Sequence, residues 1–288
     1  MPELPEVEAL RSFLADRLVG HPVARVLPLA VNVLKTYDPP LDALDGRTVT
    51  SVARHGKFLD LACDGPRLVL HLARAGWVRW HDRLPDTPPR PGRGPLALRL
   101  ELAEPPRTGF DLTEAGPRKD LAVYCVWRPD EVPGIARLGP DPLDPGFTPE
   151  VLAGLLRGQR HRVKGLLRDQ SVLAGVGNAY SDEILHAARL SPYRLAAELT
   201  EEETGRLYVA IGAVLREAVA AAGGVAAGRL RGHKRARMRV HGRAGEECPV
   251  CGDTVRSVVF RDSSLEYCPA CQTDGRILAD RRMSRLLK

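Results

Sequence analysis

Two CxxC pairs near the carboxyl end, Cys248-Pro249-Val250-Cys251 and Cys268-Pro269-Ala270-Cys271, constrain this chain more than any other feature. Sixteen residues separate them, enough for a β-hairpin that gathers four thiolates around one tetrahedral ion. Two redox pairs are the other reading of this spacing, but structural zinc is the usual use of paired CxxC where no signal peptide directs the chain to an oxidising compartment. The sequence therefore predicts one structural Zn²⁺ on Cys248, Cys251, Cys268 and Cys271. The other cysteines, Cys63 and Cys125, lie in apolar runs and read as small buried hydrophobes.

The opposite end reads Met1-Pro2-Glu3-Leu4-Pro5-Glu6-Val7-Glu8. Removing Met1 leaves Pro2 as a free secondary amine. Such an α-amine titrates near 8, about two units below lysine, so a useful fraction is an unprotonated nucleophile at neutral pH. Glu3 sets a carboxylate one residue away, able to give or take the proton that carbon–nitrogen chemistry moves. Prolines and acids also suit an ordinary helix start, so this segment alone leaves both readings open.

Apolar residues Val7, Leu10, Phe13, Leu14 and Leu18 recur at helical spacing and stop at Gly20, predicting an amphipathic helix over 5–19. Leu96, Leu98, Leu100 and Leu102 alternate, and β-rich runs near 47–53, 57–63, 67–72, 76–81 and 121–127 complete an antiparallel sandwich interrupted by the Pro/Gly loop 84–95. Prolines between 129 and 149 mark a linker. Beyond it the pattern is helical near 149–157, 162–169, 178–188 and from Glu201 to about Ala222, with Thr200 and Glu203 as a capping box and Gly223-Gly224 as the stop. The expected class is α+β: an amino-terminal helix and antiparallel β-sandwich, then a helical domain with a zinc hairpin. The divisions fall at 1–130, a linker 131–149, 150–239, 240–274 and a tail 275–288.

Net charge is +6, and its distribution says more than its size. Arg229, Arg231, Lys234, Arg235, Arg237, Arg239 and Arg243 run without an acid, and Arg276, Arg281, Arg282, Arg285 and Lys288 follow the second CxxC. Two basic stretches flanking a zinc ribbon favour phosphate contact over a merely solvated face. No apolar stretch approaches the roughly 20 residues of a membrane span.

Four segments in order resemble the formamidopyrimidine-DNA glycosylase/endonuclease VIII family of base-excision repair enzymes. They are the amino terminus from Pro2 to Glu8, the run Arg54-His55-Gly56-Lys57-Phe58-Leu59, the run from Asp169 to Tyr180 with its Gly175-Val176-Gly177-Asn178 core, and the ribbon from the Val240-His241-Gly242-Arg243 strand to Gln272. The third is similar to the family's helix-two-turn-helix. The resemblance implies a bifunctional glycosylase and AP lyase that excises oxidised or otherwise damaged bases and cuts by β,δ-elimination. In it Pro2 attacks C1′ of the damaged nucleotide, Glu3 moves protons with Glu6 in support, and Lys57 holds a phosphate or assists protonation. Lys164 and Asn178 would grip the DNA backbone, Arg118 would face the orphaned base, and Arg243 would add a contact. The implied partner is damaged double-stranded DNA, engaged by a cytoplasmic, nucleoid-associated monomer without membrane attachment.

Several positions depart from the family pattern. His71-Leu72-Ala73-Arg74 carries a guanidinium where the family has a methionine wedge, Asp120 stands where a phenylalanine is expected, and Ser263 where the hairpin-tip arginine is expected. The segment from Gly224 to Val240 is shorter than the loop that caps oxidised purines. The amino-terminal motif looks like the purine-specific branch and the short segment like the branch acting on oxidised pyrimidines or AP sites. A non-catalytic paralogue that binds damaged or abasic DNA, and a zinc-ribbon adaptor on a mere scaffold, are the alternatives. The intact Pro2-Glu3 pair weighs against both.

Overall fold

Helix α1 (Leu4–Leu18) starts at a proline-containing first turn, and its carboxyl end gives way to Gly20 at φ 89°. Val7, Leu10, Leu14 and Leu18 form its buried stripe, each fully inaccessible. A computed structural model describes the chain apart from residues 86, 88, 90, 91, 93, 116, 117, 261–263 and 279–288. Ser263 and the tail residues Arg281, Arg282, Arg285 and Lys288 thus lie outside the described residues. The chain forms two units, Met1–Leu138 with Ala221–Arg231, and Gly139–Ala220 with Gly232–Lys288.

In the first unit, strands β1 (Val23–Pro28), β2 (Val49–His55), β3 (Phe58–Cys63), β4 (Arg67–His71), β5 (Gly76–His81), β6 (Leu96–Leu102), β7 (Gly109–Glu114) and β8 (Ala122–Val126) build two antiparallel four-stranded sheets. Their orders are β1-β6-β7-β5 and β2-β3-β4-β8. Leu98, Leu100, Phe110 and Leu112 of one sheet and Leu59, Leu61, Leu68 and Leu70 of the other share a single core with the α1 stripe. Truncating one such leucine to alanine costs about 2–5 kcal/mol, so α1 is held firmly against the strands. Cys125 is buried, whereas Cys63 at the end of β3 is only partly so; burial pushes both thiols up to about 11, so neither is a reactive thiolate.

Two strands differ from the sequence expectation. β1 and β7 are absent from it because both carry charges that read as loop. Those charges are held by partners: the acids of β7 are buried, while Arg25 of β1 stays partly exposed over the buried Glu101. On the outer face of β6, Arg99 binds Asp111 of β7 through Nε at 2.7 Å and Nη2 at 3.0 Å, and His81 adds a contact at 2.9 Å. Glu101 is covered by Arg25 of β1 and by Arg107. The strict alternation of leucines in β6 therefore marks the core face without leaving the other face exposed.

The chain returns to this unit at Ala221–Arg231. Ala227 and Leu230 enter the core, and Trp77 Nε1 donates to the Ala227 carbonyl at 2.9 Å. Residues 224–240 are thus not an irregular loop: a 3-10 turn (Ala227–Arg229) leads into helix α6 (Leu230–Arg237).

The second unit holds α2 (Pro149–Leu156), α3 (Val163–Arg168), α4 (Asn178–Ala187) and most of α5 (Glu201–Ala222), close to the expected bounds. Thr200 and Glu203 make the expected reciprocal cap of α5, at 2.9 and 3.1 Å. Strands β9 (Arg256–Val259) and β10 (Ser264–Tyr267) form the expected hairpin, followed by α7 (Pro269–Gln272). Among the described residues no helix is long and apolar enough to cross a membrane.

Candidate active site and metal centre

At the head of α1, Pro2 is buried, Glu3 is 2% exposed and Glu6 3% exposed. Burying carboxylates costs free energy unless they are paired or hydrogen-bonded. Glu6 Oε2 accepts the backbone N–H of Glu3 at 2.9 Å, which fixes the Glu3 backbone at the helix start. Glu6 thereby gains a definite role as the cap that orients its neighbour.

Lys57 sits in the two-residue turn between β2 and β3, where His55 pairs with Phe58 and Gly56 supplies φ 56°. It is 8% exposed. Arg54 ties this turn to α1: its Nε binds Glu8 Oε2 at 2.8 Å, while Nη1 donates to the Gly56 carbonyl at 3.2 Å. Burial alone would raise the Glu8 pKa, but Arg54 and Arg11 outweigh it and hold the carboxyl below its ordinary value. Behind Lys57, the His71 ring lies 4.5 Å from Phe58, and burial plus the Lys57 charge press its pKa down to about 4. His71 is neutral at physiological pH.

Arg74 is exposed on a tight turn between β4 and β5, closed by the Gly76 N–H donating to the Leu72 carbonyl at 2.8 Å. A Cβ at Gly76 would lie 2.2 Å from that oxygen, so only glycine fits. Ala73 takes a left-handed φ of 48° to project the tip. Arg118 and Asp120 are also exposed. The loop bearing them is fastened by Glu114, whose Oε1 accepts the N–H groups of Asp120 at 2.9 Å and Leu121 at 3.0 Å, and whose carbonyl accepts from the Lys119 ammonium.

In the second unit the helix-two-turn-helix runs from α3 to α4. Gln170 braces its double turn, accepting from the Gly175 N–H at 3.0 Å and donating to the Arg168 and Val176 carbonyls at 2.8 Å each. Gly175 has φ 85°, and Gly177 caps α4. Asn178 opens α4, with Nδ2 donating to the Ser264 carbonyl of β10 at 2.9 Å and Oδ1 buried without a hydrogen-bond partner.

Lys164, which the resemblance pairs with Asn178 on the DNA backbone, is 5% exposed. Its ammonium donates to Asp182 Oδ1 at 2.6 Å, Ser181 Oγ at 2.8 Å and the Asn178 carbonyl at 3.2 Å. Arg243 lies in a turn rather than a strand, because Glu183 captures the N–H groups of Arg239, Val240 and His241 that a ladder would need, and Gly242 turns the chain at φ 74°. Arg243 itself binds Glu246 at 2.7 Å and the Met238 carbonyl at 3.3 Å.

The four cysteines converge. Sγ–Sγ separations are 3.3 Å for Cys251–Cys268, 3.5 Å for Cys251–Cys271 and 3.9 Å for Cys248–Cys271. Tetrahedral Zn²⁺ with sulfurs at about 2.3 Å places them about 3.8 Å apart, so this set fits one structural zinc. His186 Nε2 lies 3.3 Å from Cys248 Sγ. Asn178, Asp182 and His186, spaced four residues apart, therefore present one polar face of α4 to the ribbon on successive turns. The spacing is readable in the sequence, but nothing local distinguishes Asp182, Glu183, His186 or Glu266 from ordinary solvated polar residues.

A helix start with paired acids, a β-sandwich, a helix-two-turn-helix and a four-cysteine ribbon define a zinc-containing, DNA-binding class of protein. Profiles for the formamidopyrimidine-DNA glycosylase N-terminal domain, its H2TH domain and the zinc finger found in FPG and IleRS match residues 1–121, 138–228 and 245–273. Formamidopyrimidine-DNA glycosylase of Symbiobacterium thermophilum is 37% identical over 98% of this chain and 93% of its own length. An uncharacterized formamidopyrimidine-DNA glycosylase-like protein of Mycobacterium tuberculosis is 54% identical over 52% of this chain and 94% of its own. The Lactococcus lactis enzyme complexed with abasic-site DNA superposes with a TM-score of 0.82 at 26% identity, covering 94% of this chain and 99% of that one. The chain belongs to the formamidopyrimidine-DNA glycosylase family.

Proposed function

We propose that this protein is a bifunctional DNA glycosylase and AP lyase of base-excision repair, acting on duplex DNA with a damaged base or an abasic site. The observation that carries the reading is the head of α1, where two carboxylates are buried beside Pro2 and one of them, Glu6, is committed to holding the other's backbone.

Once Met1 is removed, the Pro2 nitrogen attacks C1′ and the damaged base leaves with the bonding pair and a proton. Glu3 protonates the ring oxygen as the sugar opens, giving an iminium that joins Pro2 to C1′. The iminium acidifies the C2′ proton. Its loss expels the 3′ phosphate, and a second elimination expels the 5′ phosphate. Lys57 steadies a phosphate or the departing oxygen from the β2–β3 turn. Asn178 contacts the backbone at the start of α4, with Lys164 supporting it from beneath through its carbonyl. Arg118 and Arg74 face the lesion, and Arg243 adds an outer contact.

Catalysis is assigned to residues 1–130, the helix-two-turn-helix to 150–239 after the linker 131–149, the ribbon to 240–274 and a basic tail to 275–288. The protein works as a cytoplasmic, nucleoid-associated monomer without membrane attachment. A segment 224–240 that commits Ala227 and Leu230 to the core has little length left to close over a flipped purine, which favours oxidised pyrimidines or abasic sites. The test is cleavage of end-labelled duplexes carrying an abasic site, thymine glycol or 8-oxoguanine. Products with phosphate on both sides of a one-nucleotide gap are expected, and failure to cut any of them would overturn the reading.

A further inference from the structure

Among the described residues, two groups of side chains bring metal-ligating atoms together, the four cysteines and a set formed by Asp182, His241 and Glu266. We propose that Asp182, His241 and Glu266 form a second metal site, which takes one divalent cation of the zinc class and fastens α4, the 240–243 turn and β10 to one another.

Geometry is the first support. One ligand atom from each residue lies within 4.8 Å of the other two. His241 Nδ1 is 2.8 Å from Asp182 Oδ2 and 2.9 Å from Glu266 Oε2. A tetrahedral ion at about 2.0–2.1 Å from each ligand separates them by about 3.3 Å, so an outward shift of a few tenths of an ångström admits it.

Hydrogen bonding is the second. A single imidazole N–H serves both carboxylates only as a shared, weaker three-centre bond. Asp182 Oδ2 takes the bond, leaving Glu266 Oε2 buried, aimed at the same nitrogen and without a hydrogen-bond partner. Glu266 is 6% exposed, so water does not relieve it. A cation at the centre accepts a lone pair from all three groups. Asp182 is already oriented for this, because its other oxygen is held by the Lys164 ammonium at 2.6 Å, a common way of fixing a metal-binding carboxylate.

Charge is the third. Asp182, Glu183 and Glu266 are buried acids in this cluster and Lys164 its buried base; fully ionised they leave two negative charges, a state that burial disfavours by raising Asp182 and Glu183. An imidazolium on His241 balances only one of them. A divalent ion with neutral His241 balances both. One nitrogen and two oxygens suit Zn²⁺ or Co²⁺ and disfavour Mg²⁺, which demands near-ideal octahedral oxygen coordination. His241 is 27% exposed, so water can complete the coordination.

The site is independent of the glycosylase reading and is tested without activity. Full-length protein loaded with modest excess zinc and desalted is expected to carry two ions per chain, one for each ligand group. Glu266→Gln, nearly isosteric, and His241→Phe should each reduce this to the ribbon ion alone. Cobalt substitution checks that the ribbon persists, through its thiolate charge-transfer bands. A single zinc in the native protein, a second zinc retained by Glu266→Gln, or a second ion bound only at millimolar zinc would each overturn the proposal. So would nitrogen-resolved NMR showing protons on both His241 nitrogens at zinc saturation, since the proton would then hold the place assigned to the ion.

Discussion

Glu8 on α1 and Arg54 on β2 meet at 2.8 Å, and the same guanidinium reaches the Gly56 carbonyl at 3.2 Å. This joins the helix that begins at Pro2 to the turn that carries Lys57. Arg54 is 9% exposed at its side chain and Glu8 22%, so the pair is shielded enough to matter. Arg54→Leu is expected to cost about 1.5–3 kcal/mol, the range for a hydrogen bond to a charged group, read by chemical denaturation. Cleavage should fall through kcat more than KM. An unchanged kcat in a folded variant would show that the tie does not position the turn.

His71 gives a pH dependence with a definite sign. Its folded-state pKa of about 4 lies below the ordinary value of about 6.5, so the unfolded chain binds the extra proton first. Its contribution to stability is complete above about pH 6.5 and is lost as pH falls towards 4. Thermal unfolding should show a steeper decline over that window in the native protein than in His71→Gln. Parallel declines would mean that His71 titrates normally.

The ribbon's apolar core is confined to two small clusters, one of Val240, Val255 and two of the cysteines and one of Val258, Leu265 and Tyr267. Serine at Cys248, Cys251, Cys268 or Cys271 is therefore expected to lower zinc content and DNA affinity together. The hydrogen bond from Asn178 to Ser264 of β10 is one route by which a loosened ribbon disturbs the start of α4. Full zinc occupancy in any such variant would contradict the four-thiolate site.

On the proposed function, Arg74 and Asp120 are the exposed residues expected to set how well a base is flipped. Neither supplies the apolar wedge that separates stacked bases, and a carboxylate is repelled by phosphates. Abasic DNA, whose missing base removes much of the unpairing cost, should be cut faster than paired 8-oxoguanine, and Asp120→Phe should narrow the gap. Glu114 fixes this loop through the Asp120 N–H, which the substitution keeps. Equal rates on both substrates, unchanged by Asp120→Phe, would assign the void to another segment.

What the sequence revealed follows from where side-chain chemistry dictates backbone geometry. The CxxC spacing, the Thr200–Glu203 cap and the glycine at φ 85° in the double turn each demand one local structure, and each is found. β1 and β7 escaped because Arg25 and Asp111 look solvated until their partners on β6 are known. The turn at Arg243 escaped for a related reason, since Glu183, 57 residues from Val240 in the chain, takes the N–H groups that a strand would use. The Lys164–Asp182 pair was not legible because nothing local announces Asp182 as the partner of a lysine 18 residues away. Pairings that span long sequence separations are not written in any local pattern.

The central claim is that Pro2 is the nucleophile, Glu3 the proton carrier and Lys57 an accessory. Borohydride trapping on abasic DNA tests it most directly, because reduction of the iminium leaves a permanent protein–DNA bond. The native protein, with Met1 shown by mass spectrometry to be removed, is expected to trap in high yield. Pro2→Gly should lose most of the adduct, while Glu3→Gln should lose base excision yet still trap preformed abasic sites. If the combined Pro2→Gly and Lys57→Ala variant traps at the native rate, the nucleophile lies elsewhere and the account fails.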